Sequence, residues 1–549
     1  MRLLSGFCRV FLFCAVCAVG FSSSALAVDW IYDTEAAGTA ETLWSQTLGA
    51  SDADGLWYYM DGDSRVYMRG GYSAGDTFTV NSFEGSGTTT IKMDTSVELG
   101  GLTLNSYDVT SRVSISSASL DYGIKVNGDM NVLQQVNGAA VVPLYNGLSL
   151  EVADNLNVSA IYFEPVTRGF KVGGDIISKN ANEMNCFGGY TGSGSFENPD
   201  INVAGAVRNF QRFCLRNDYS AQNLYYQFGG FDNVREFRIY NSAVVDGRMF
   251  ITLTNASGAD YWSPGNLNET YKLYGNDYLI AVNPQERSRV VLIMKGADST
   301  SGQTFRGDVL AMSGGMQVDS GKLGVNFNQT ASSYTFQASY DKDGSGAKTY
   351  NVTYWTDNLG SVQTTFSHGD LVMNGGVFGG YINDDSYGAF RFGDIVYSGG
   401  TIALRLSSAG CDTLDLTSYY QKEELVGDSS AVYWTKEGGG TVKFADGVAE
   451  GTKVTFDFGN DLAWLIDSSL NDGAGYKVIA WDSDNKTALS SGDFVANNFV
   501  LDDATYTALF EVGNDGLYVK YVVVPEPGEV ACIVGAAALL AAFFRRRRA

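Results

Sequence analysis

The chain is poor in histidine, cysteine, proline and charged residues. Its 549 residues include one histidine, seven cysteines and seven prolines, and only 18% of them are charged. One histidine leaves little room for histidine-dependent catalysis or for a zinc site. A net charge of −24 argues against nucleic-acid binding, which requires a basic surface. We therefore predict no catalytic residue, no metal site and no cofactor, and we expect that the protein is not an enzyme.

Glycine and hydrophobic residues are abundant instead. The sequence has 65 glycines and 45% hydrophobic residues, a composition typical of an ordered chain. Apolar and polar residues alternate over short stretches, as at 112–116, 350–354 and 454–458, between turn-forming residues. This period of two predicts β-strands, and the pattern contains no long amphipathic helix.

The first 27 residues have the features of a secretory signal peptide. Arg2 and Arg9 precede an apolar stretch at residues 10–20, and the small residues Ala25 and Ala27 fit cleavage after Ala27. A retained membrane anchor is the alternative, which the shortness of the apolar run disfavours. Signal peptidase is therefore an expected processing partner.

The C-terminal end combines three features in a fixed order. An apolar run at residues 530–544 is preceded by Pro525, Glu526 and Pro527 and followed by Arg545, Arg546, Arg547 and Arg548. As a helix, this run spans about 22 Å, so it is a marginal transmembrane helix. The arginines resist translocation and predict a cytoplasmic end. An unprocessed tail anchor is the alternative.

This tail resembles the PEP-CTERM sorting signal of Gram-negative bacteria, which an exosortase processes. The resemblance covers residues 525–548 and leaves the rest of the chain unassigned. It implies export, transient anchoring in the inner membrane, processing near Pro525, Glu526 and Pro527, and delivery to the cell envelope, cell surface or extracellular matrix. It makes the exosortase an expected partner and an exopolysaccharide a further candidate partner. We expect no nucleic-acid partner, because of the negative net charge.

A related phrase recurs in the first half of the chain. It begins at Ile124, Leu150, Phe170 and Ile201, and the starts are 26, 20 and 31 residues apart. Such spacings fit a β-solenoid in which each repeat has three short strands and three turns. Glycine is expected where the chain turns tightly, and apolar residues are expected to fill the interior.

A second phrase, Gly-Asp followed by a short apolar stretch and Gly-Gly, begins at Gly307, Gly369 and Gly393. These phrases, together with residues 439–444, are similar to the autotransporter-associated β-strand repeats of large bacterial surface proteins. The resemblance implies a surface-exposed β-repeat region. That family has a C-terminal outer-membrane barrel, and we expect the sorting helix in its place here.

We therefore predict an all-β fold, a right-handed parallel β-helix (solenoid) with a C-terminal β capping module. A separate sandwich is the alternative for that module. The expected segments are a signal peptide at 1–27, an N-terminal β cap at 28–99, solenoid repeats at 100–410, the C-terminal β module at 411–523 and the sorting signal with its transmembrane helix at 524–549.

Three cysteines remain between the two terminal segments, Cys186, Cys214 and Cys411. In an oxidising compartment Cys186 and Cys214 could form a disulfide, and buried free thiols are the equal alternative.

Few other residues suggest a binding site. Residues 341–346 match the start of a calcium loop, but residue 352 is valine, so a hairpin turn is favoured. His368 is expected to be a polar residue beside a turn. Tyr225 and Tyr226 are candidates for stacking on sugar rings, although most aromatic residues in a β-protein pack in its core.

Two functions fit these features. The first is a structural or adhesive role in the cell envelope or matrix. The alternative is a secreted protein that binds or degrades polysaccharides along the flank of its solenoid.

Overall fold

The computed structural model describes residues 27–524 apart from short internal gaps. The gaps are 39–40, 51–52, 83–86, 108–110, 118–121, 135–147, 160–165, 168, 180–183, 190–194, 218–222, 243–247, 256, 264–265, 273–277, 281–289, 307–308, 311–313, 326–329, 332–333, 341–343, 347, 356–361, 364–368, 381–386, 409, 429 and 460–461. The described chain is mostly strand with few helices, which confirms the predicted all-β class.

The helical elements are single turns. The α-helical turns α1 to α3 are Thr34–Ala37, Trp44–Thr47 and Ser469–Asp472, and the 3-10 turns are Ala463–Asp467, Ser483–Asn485 and Ser491–Asp493.

The strands are numbered β1 to β51 in chain order. Strands β1 to β25 are Asp29–Tyr32, Thr42–Leu43, Trp57–Asp61, Ser64–Tyr67, Thr77–Asn81, Gly87–Met93, Val97–Leu99, Gly101–Ser106, Ser111–Ser117, Gly123–Val126, Met130–Gln134, Ser149–Val152, Leu156–Val158, Val166–Thr167, Gly169–Val172, Ile176–Ser178, Met184–Gly189, Ile201–Arg208, Arg212–Asn217, Leu224–Asp232, Glu236–Ser242, Met249–Leu253, Asp260–Ser263, Asn266–Lys272 and Tyr278–Ile280. Strands β26 to β51 are Val290–Lys295, Gly302–Phe305, Val309–Leu310, Met316–Ser320, Lys322–Val325, Thr330–Ala331, Tyr334–Tyr340, Lys348–Trp355, Val362–Gln363, Leu371–Met373, Val377–Gly380, Ala389–Arg391, Ile395–Tyr397, Thr401–Ala403, Leu406–Ser407, Gly410–Cys411, Thr413–Asp415, Ser418–Leu425, Val432–Gly438, Val442–Phe444, Val454–Asp457, Tyr476–Ala480, Phe494–Ala496, Phe499–Leu501, Ala504–Val512 and Gly516–Val524.

The repeated phrases pair with one another in register. Ile124 lies opposite Leu150, Leu150 opposite Phe170, and Phe170 opposite Ile201, always in parallel strands. The strands that follow them, β11, β13, β16 and the second half of β18, align in the same way. We call the chain from one such pair of strands to the next a unit. The 20-residue to 31-residue spacing in the sequence is therefore the spacing of directly paired units.

In the unit that begins at β35, consecutive strands belong to different sheets. Strand β35 lies in a 20-stranded sheet, β36 in a seven-stranded sheet and β37 in a six-stranded sheet. The next unit repeats this order with β38, β39 and β42, each parallel to its counterpart. These two units thus each contribute one strand to each of three sheets.

The phrase that begins at Gly307 leads into a different sheet from the similar phrases at Gly369 and Gly393. The strand after Gly307, Val309–Leu310, pairs with Leu267 and Asn268 in another sheet. The counterpart of Leu371 is instead Met316, which follows Gly315. The phrase is therefore too short to distinguish strands that occupy different sheets.

Alternating burial along the strands builds the core. In Ser149–Val152, Leu150 and Val152 are buried while Ser149 and Glu151 are exposed. The same inward positions are apolar in the paired strands, so the removal of apolar surface from water stabilises every unit against its neighbours.

Glycine is required at two of the corners. Gly315 has φ of 88° and Gly400 φ of 93°, a backbone conformation that disfavours other residues. A Cβ atom at Gly315 would lie 2.2 Å from the carbonyl oxygen of Asp370, and one at Gly400 would lie 2.5 Å from that of Gly375. The close approach of neighbouring units explains glycine at these turns.

Aspartate and asparagine side chains link the units at one corner. Asp129 Oδ1 accepts a hydrogen bond from the backbone N–H of Asn155 at 2.9 Å, and Asn155 Oδ1 accepts one from Asp175 N–H at 2.9 Å. Asp175 Oδ1 accepts one from Ala206 N–H at 2.7 Å. These residues occupy the same position, directly before the second strand of the unit. Each side chain therefore satisfies a backbone donor of the next unit.

The same ladder recurs in the second half of the chain. Asp370 Oδ1 accepts from Asp394 N–H at 2.8 Å, and Asp394 Oδ1 accepts from Thr441 N–H at 2.9 Å. Lys443 forms an ion pair with Asp394. Burial raises the pKa of Asp370, and the negative charge of Asp394 raises it further, against the hydrogen bond from Asp394 N–H.

Antiparallel pairing appears at both ends of the described chain and in a side sheet. Strand β1 is antiparallel to β3 and parallel to β5. At the other end β47, β51, β50 and β49 form the antiparallel part of the six-stranded sheet. Two long hairpins, β32–β33 and β43–β44, join in a separate four-stranded sheet.

The predicted boundary at residue 411 lies within the run of parallel pairs. Ile395 pairs with Val442, and Ile402 pairs with Phe456. Strands on both sides of residue 411 thus stack in the same sheets. All the expected boundaries remain predictions.

Membrane-spanning helices were sought in the described residues. No helix among them is both long enough and apolar enough to cross a bilayer. The transmembrane helix expected within residues 524–549 falls on residues that the structure does not describe.

The ladder makes a prediction about Asp370. Its raised pKa means that the folded chain holds this proton more tightly than the unfolded chain, so the stabilisation is present at low pH and is lost as pH rises through the folded pKa. Asparagine cannot ionise and accepts the same bond, as Asn155 does. We expect Asp370→Asn to be at least as stable as the wild type at neutral pH, with its relative advantage shrinking towards acidic pH, as measured by denaturant unfolding.

Asp370→Ala is the matched comparison. It removes the acceptor of the Asp394 N–H, and we expect it to be less stable than Asp370→Asn by about 1 kcal/mol. Equal stability of the two variants would contradict a role for this hydrogen bond.

Candidate functional site

An aromatic cluster on the outer side of the 20-stranded sheet is the strongest candidate site. Tyr225 of β20 lies opposite Phe250 of β22, and their rings stack with centroids 5.1 Å apart and planes at 10°. Phe196, in the loop before β18, contacts both rings edge-on at 4.8 and 5.3 Å. Its side chain is 52% exposed. The three rings form a surface that we call the aromatic strip.

The alternation of β20 places Tyr225 on this surface. Its neighbours Leu224 and Tyr226 are buried, so Tyr225 faces outward. Asp200 Oδ2 accepts a hydrogen bond from Tyr225 N–H at 2.9 Å, which fixes the start of the strand. The predicted pair Tyr225 and Tyr226 is thus divided, with Tyr226 in the core.

A short hydrogen-bonded loop presents Phe196. Ser195 N–H donates to the carbonyl oxygen of Asn198 at 2.9 Å, and Asn198 N–H donates to Ser195 Oγ at 3.2 Å. Ser195 Oγ also donates to Glu197 Oε2 at 3.0 Å. Sequence reasoning missed Phe196, because nothing in a loop sequence indicates which strand its aromatic residue covers.

Two amides flank the aromatic strip. Gln227 lies two residues beyond Tyr225 on the same face, and its Nε2 donates to Asn202 Oδ1 at 3.3 Å. Aromatic faces beside amide donors and acceptors are chemically suited to sugar rings, which present C–H faces and hydroxyl edges.

A second polar cluster is centred on Arg208. Its Nε donates to Asp175 Oδ2 at 2.7 Å, it also pairs with Asp232, and its guanidinium lies 5.2 Å from the ring centroid of Tyr261. Both carboxylates are thus held by the same cation. This geometry links three units and leaves Asp175 and Asp232 poorly suited to act as a general acid and base.

Buried arginine–aspartate pairs were also missed by sequence reasoning. Arg405 makes a two-point contact with Asp412, with Nε to Oδ2 at 2.8 Å and Nη2 to Oδ1 at 2.9 Å. Arg391 contacts Asp415 at 2.5 Å. All four side chains are less than 9% exposed. Each charge in these pairs is compensated by its partner within the protein, so we assign the pairs a structural role.

The chain has two pairs of adjacent aspartates, and the pair that the structure describes lies in a turn. Asp502 and Asp503 connect β49 and β50, and both have positive φ, 47° and 66°. Aspartate tolerates this conformation in tight hairpins. Asp384 and Asp385 lie outside the described residues.

The calcium-loop match lies in a hairpin. Tyr340 and Lys348 are the last paired residues of antiparallel strands β32 and β33, so residues 341–347 connect them. This confirms the favoured hairpin interpretation. Within the described residues, no group of three or more His, Cys, Asp or Glu side chains is arranged to hold a metal ion. His368 is not described.

Most of the predicted sorting residues also lie outside the described chain. These are Ala25, Pro525, Glu526, Pro527, Arg545, Arg546, Arg547 and Arg548. Ala27 is described, and it is exposed and precedes the first strand.

The two cysteines whose side chains the structure describes, Cys214 and Cys411, are both buried. Cys186 and Cys214 are register partners in β17 and β19, and Cys214 is buried as a free thiol. Cys411 is also a buried free thiol, and its Sγ donates to the carbonyl oxygen of Lys477 at 3.1 Å. Burial raises the pKa of Cys411 to about 12.

This environment predicts an unreactive Cys411. Because the thiolate is the nucleophile, we expect alkylation of Cys411 in the folded protein to be at least ~100-fold slower than that of a free thiol at about pH 8. Iodoacetamide labelling followed by peptide mass spectrometry measures the rate. Unfolding in guanidinium should restore ordinary labelling, and rapid labelling of the folded chain would contradict the burial.

Comparison with known proteins adds no assignment to these sites. No protein-family model, curated protein or solved structure matches the chain.

Proposed function

We propose that the protein is exported and has a structural or adhesive role in the cell envelope or extracellular matrix, after sorting by an exosortase. The observation that carries the structural role is the direct, in-register pairing of successive units in three sheets. Such pairing supplies length and rigidity without requiring a catalytic centre.

We further propose that the units form a right-handed parallel β-helix. Parallel pairing of each strand with its counterpart, at spacings of 20 to 31 residues in the first half, supports this architecture. The antiparallel strands β47, β49, β50 and β51 would then act as the C-terminal cap, since an open end of such a stack exposes unpaired strand edges.

The sorting part of the proposal rests on the sequence of the two ends. Signal peptidase would remove residues 1–27, and the arginines at 545–548 would hold the tail on the cytoplasmic side of the inner membrane. The exosortase would then act near Pro525, Glu526 and Pro527. The transmembrane helix and the anchoring are transient in this scheme.

Replacement of the tripeptide tests sorting. With Pro525, Glu526 and Pro527 all changed to alanine, we expect the unprocessed chain to accumulate in the membrane fraction. Immunoblotting of cell fractions and mass measurement of the released chain report the result. Replacement of Val522–Val524 by alanine is a neighbouring control. Normal release of the tripeptide variant would refute exosortase processing.

Polysaccharide binding is the second candidate function, and the 52% exposure of Phe196 beside Tyr225 and Phe250 favours it. The strongly negative chain favours neutral over acidic glycans, because like charges repel.

The aromatic strip can be tested directly. We expect Phe196→Ala and Tyr225→Ala each to weaken retention on a neutral polysaccharide by about tenfold, since loss of about 1.4 kcal/mol of stacking and burial corresponds to that factor. Affinity electrophoresis gives the binding constants. Tyr107→Ala is the control. Tyr107 is also exposed, and it is not one of the three rings that contact one another in the aromatic strip. Binding that is indifferent to both strip variants would remove this candidate.

A further inference from the structure

The backbone nitrogen of Val28 is hydrogen-bonded to the buried carboxylate of Asp76. Val28 N–H donates to Asp76 Oδ1 at 3.0 Å. Asp76 is 4% exposed, and its Oδ2 accepts from Trp30 Nε1 at 2.8 Å and from Ser73 N–H at 3.0 Å. Three neutral donors therefore surround this carboxylate.

Asp76 differs in its charge balance from Asp33 and Asp412, two other buried aspartates. Asp33 has Arg65 at 3.0 Å, and Asp412 has Arg405 at 2.8 Å. In the described part of the chain, no lysine or arginine nitrogen lies within ion-pair distance of Asp76. A buried carboxylate without a cation is costly even when it is hydrogen-bonded. The site is therefore complete in hydrogen bonds and incomplete in charge.

The missing charge can come from Val28 itself. We infer that signal peptidase cuts between Ala27 and Val28 and thereby places a new α-ammonium group on Asp76. The inference rests on the proposed export of the protein. In the cut, water adds across the peptide bond, the C–N bond breaks, Ala27 leaves with a carboxylate, and the Val28 nitrogen takes up protons as an ammonium group.

The geometry around the junction fits this event. Ala27 is exposed and neither Ala27 nor Val28 is in a strand, whereas β1 begins at Asp29. The carbonyl oxygen of Val28 accepts a hydrogen bond from Thr77 N–H at 3.0 Å. The backbone of Val28 is therefore held by two hydrogen bonds, one at its carbonyl oxygen and one at its nitrogen. Strand β1 pairs with both β3 and β5.

Maturation would therefore convert a neutral hydrogen bond into a buried ion pair. The amide of the uncut chain offers one N–H to Asp76, whereas the ammonium of the cut chain also brings a full positive charge. The new ion pair attaches β1 to the turn before β5. The N-terminal strand is thus most firmly held only after the leader has been removed.

The first test is the N-terminus of the exported protein. Mass spectrometry of the chain recovered from its native host should give Val28 as the first residue. A different first residue would overturn the inference, while export itself would still stand. Recovery of the uncut chain in the cytosol would overturn both.

The second test isolates the ion pair without secretion. Chains that begin at Val28 or at Ala27 and run to Ala549 are produced by specific removal of a fusion partner and kept in mild detergent. The readout is the rate at which the α-amino group is acylated at about pH 7. We expect the Val28 amine to react at least ~10-fold more slowly than the Ala27 amine, and the Val28 chain to unfold at the higher temperature.

Side-chain variants of the Val28 chain provide the matched comparison. Asp76→Asn should raise the acylation rate at least ~10-fold. Asp29→Asn removes a neighbouring exposed carboxylate and should leave the rate unchanged. If Asp76→Asn does not fold, the comparison of acylation rates between the Val28 chain and the Ala27 chain still tests the inference, because the Ala27 chain keeps every native side chain. Equal acylation rates for the Val28 and Ala27 chains would overturn the inference.

Discussion

Hydrogen bonding between equivalent residues of successive units is the constraint on which the rest of the structure depends. Equivalent strands of two units pair in register only if their equivalent residues lie opposite each other. The apolar residues of one strand then lie beside the apolar residues of the next. The side chains of Asp129, Asn155 and Asp175 reinforce this alignment, since each binds the backbone of the next unit. The ladder and the interior packing thus specify the same register.

Part of this arrangement could be predicted from the sequence. The phrases at Ile124, Leu150, Phe170 and Ile201 are paired directly, because each contains the same alternation before the same turn. The phrase at Gly307 leads into a different sheet from the phrase at Gly369, since a few residues of Gly-Asp and apolar character do not specify which sheet a strand joins. Local pattern therefore predicted the existence of the repeat better than its complete register.

The candidate site was less predictable, for a different reason. The outward position of Tyr225 follows from the alternation of β20, so its sequence carries that information. Its contacts with Phe196 and Phe250 depend on the path of a loop and on pairing between strands about 25 residues apart. The pairs Arg391–Asp415 and Asp76–Val28 likewise join residues that only the fold brings together. Long-range chemistry of this kind has no short sequence signal.

The hairpins β32–β33 and β43–β44 lie outside the run of parallel strands, so changes in them need not affect the interior. Met316 pairs directly with Leu371, although the whole excursion that contains β32 and β33 lies between them. An added segment that leaves and returns at one corner does not disturb the strands on either side of it. Such a scaffold can acquire, exchange or discard protruding arms during evolution while its interior is conserved. Related chains would then differ mainly in what they present to their surroundings.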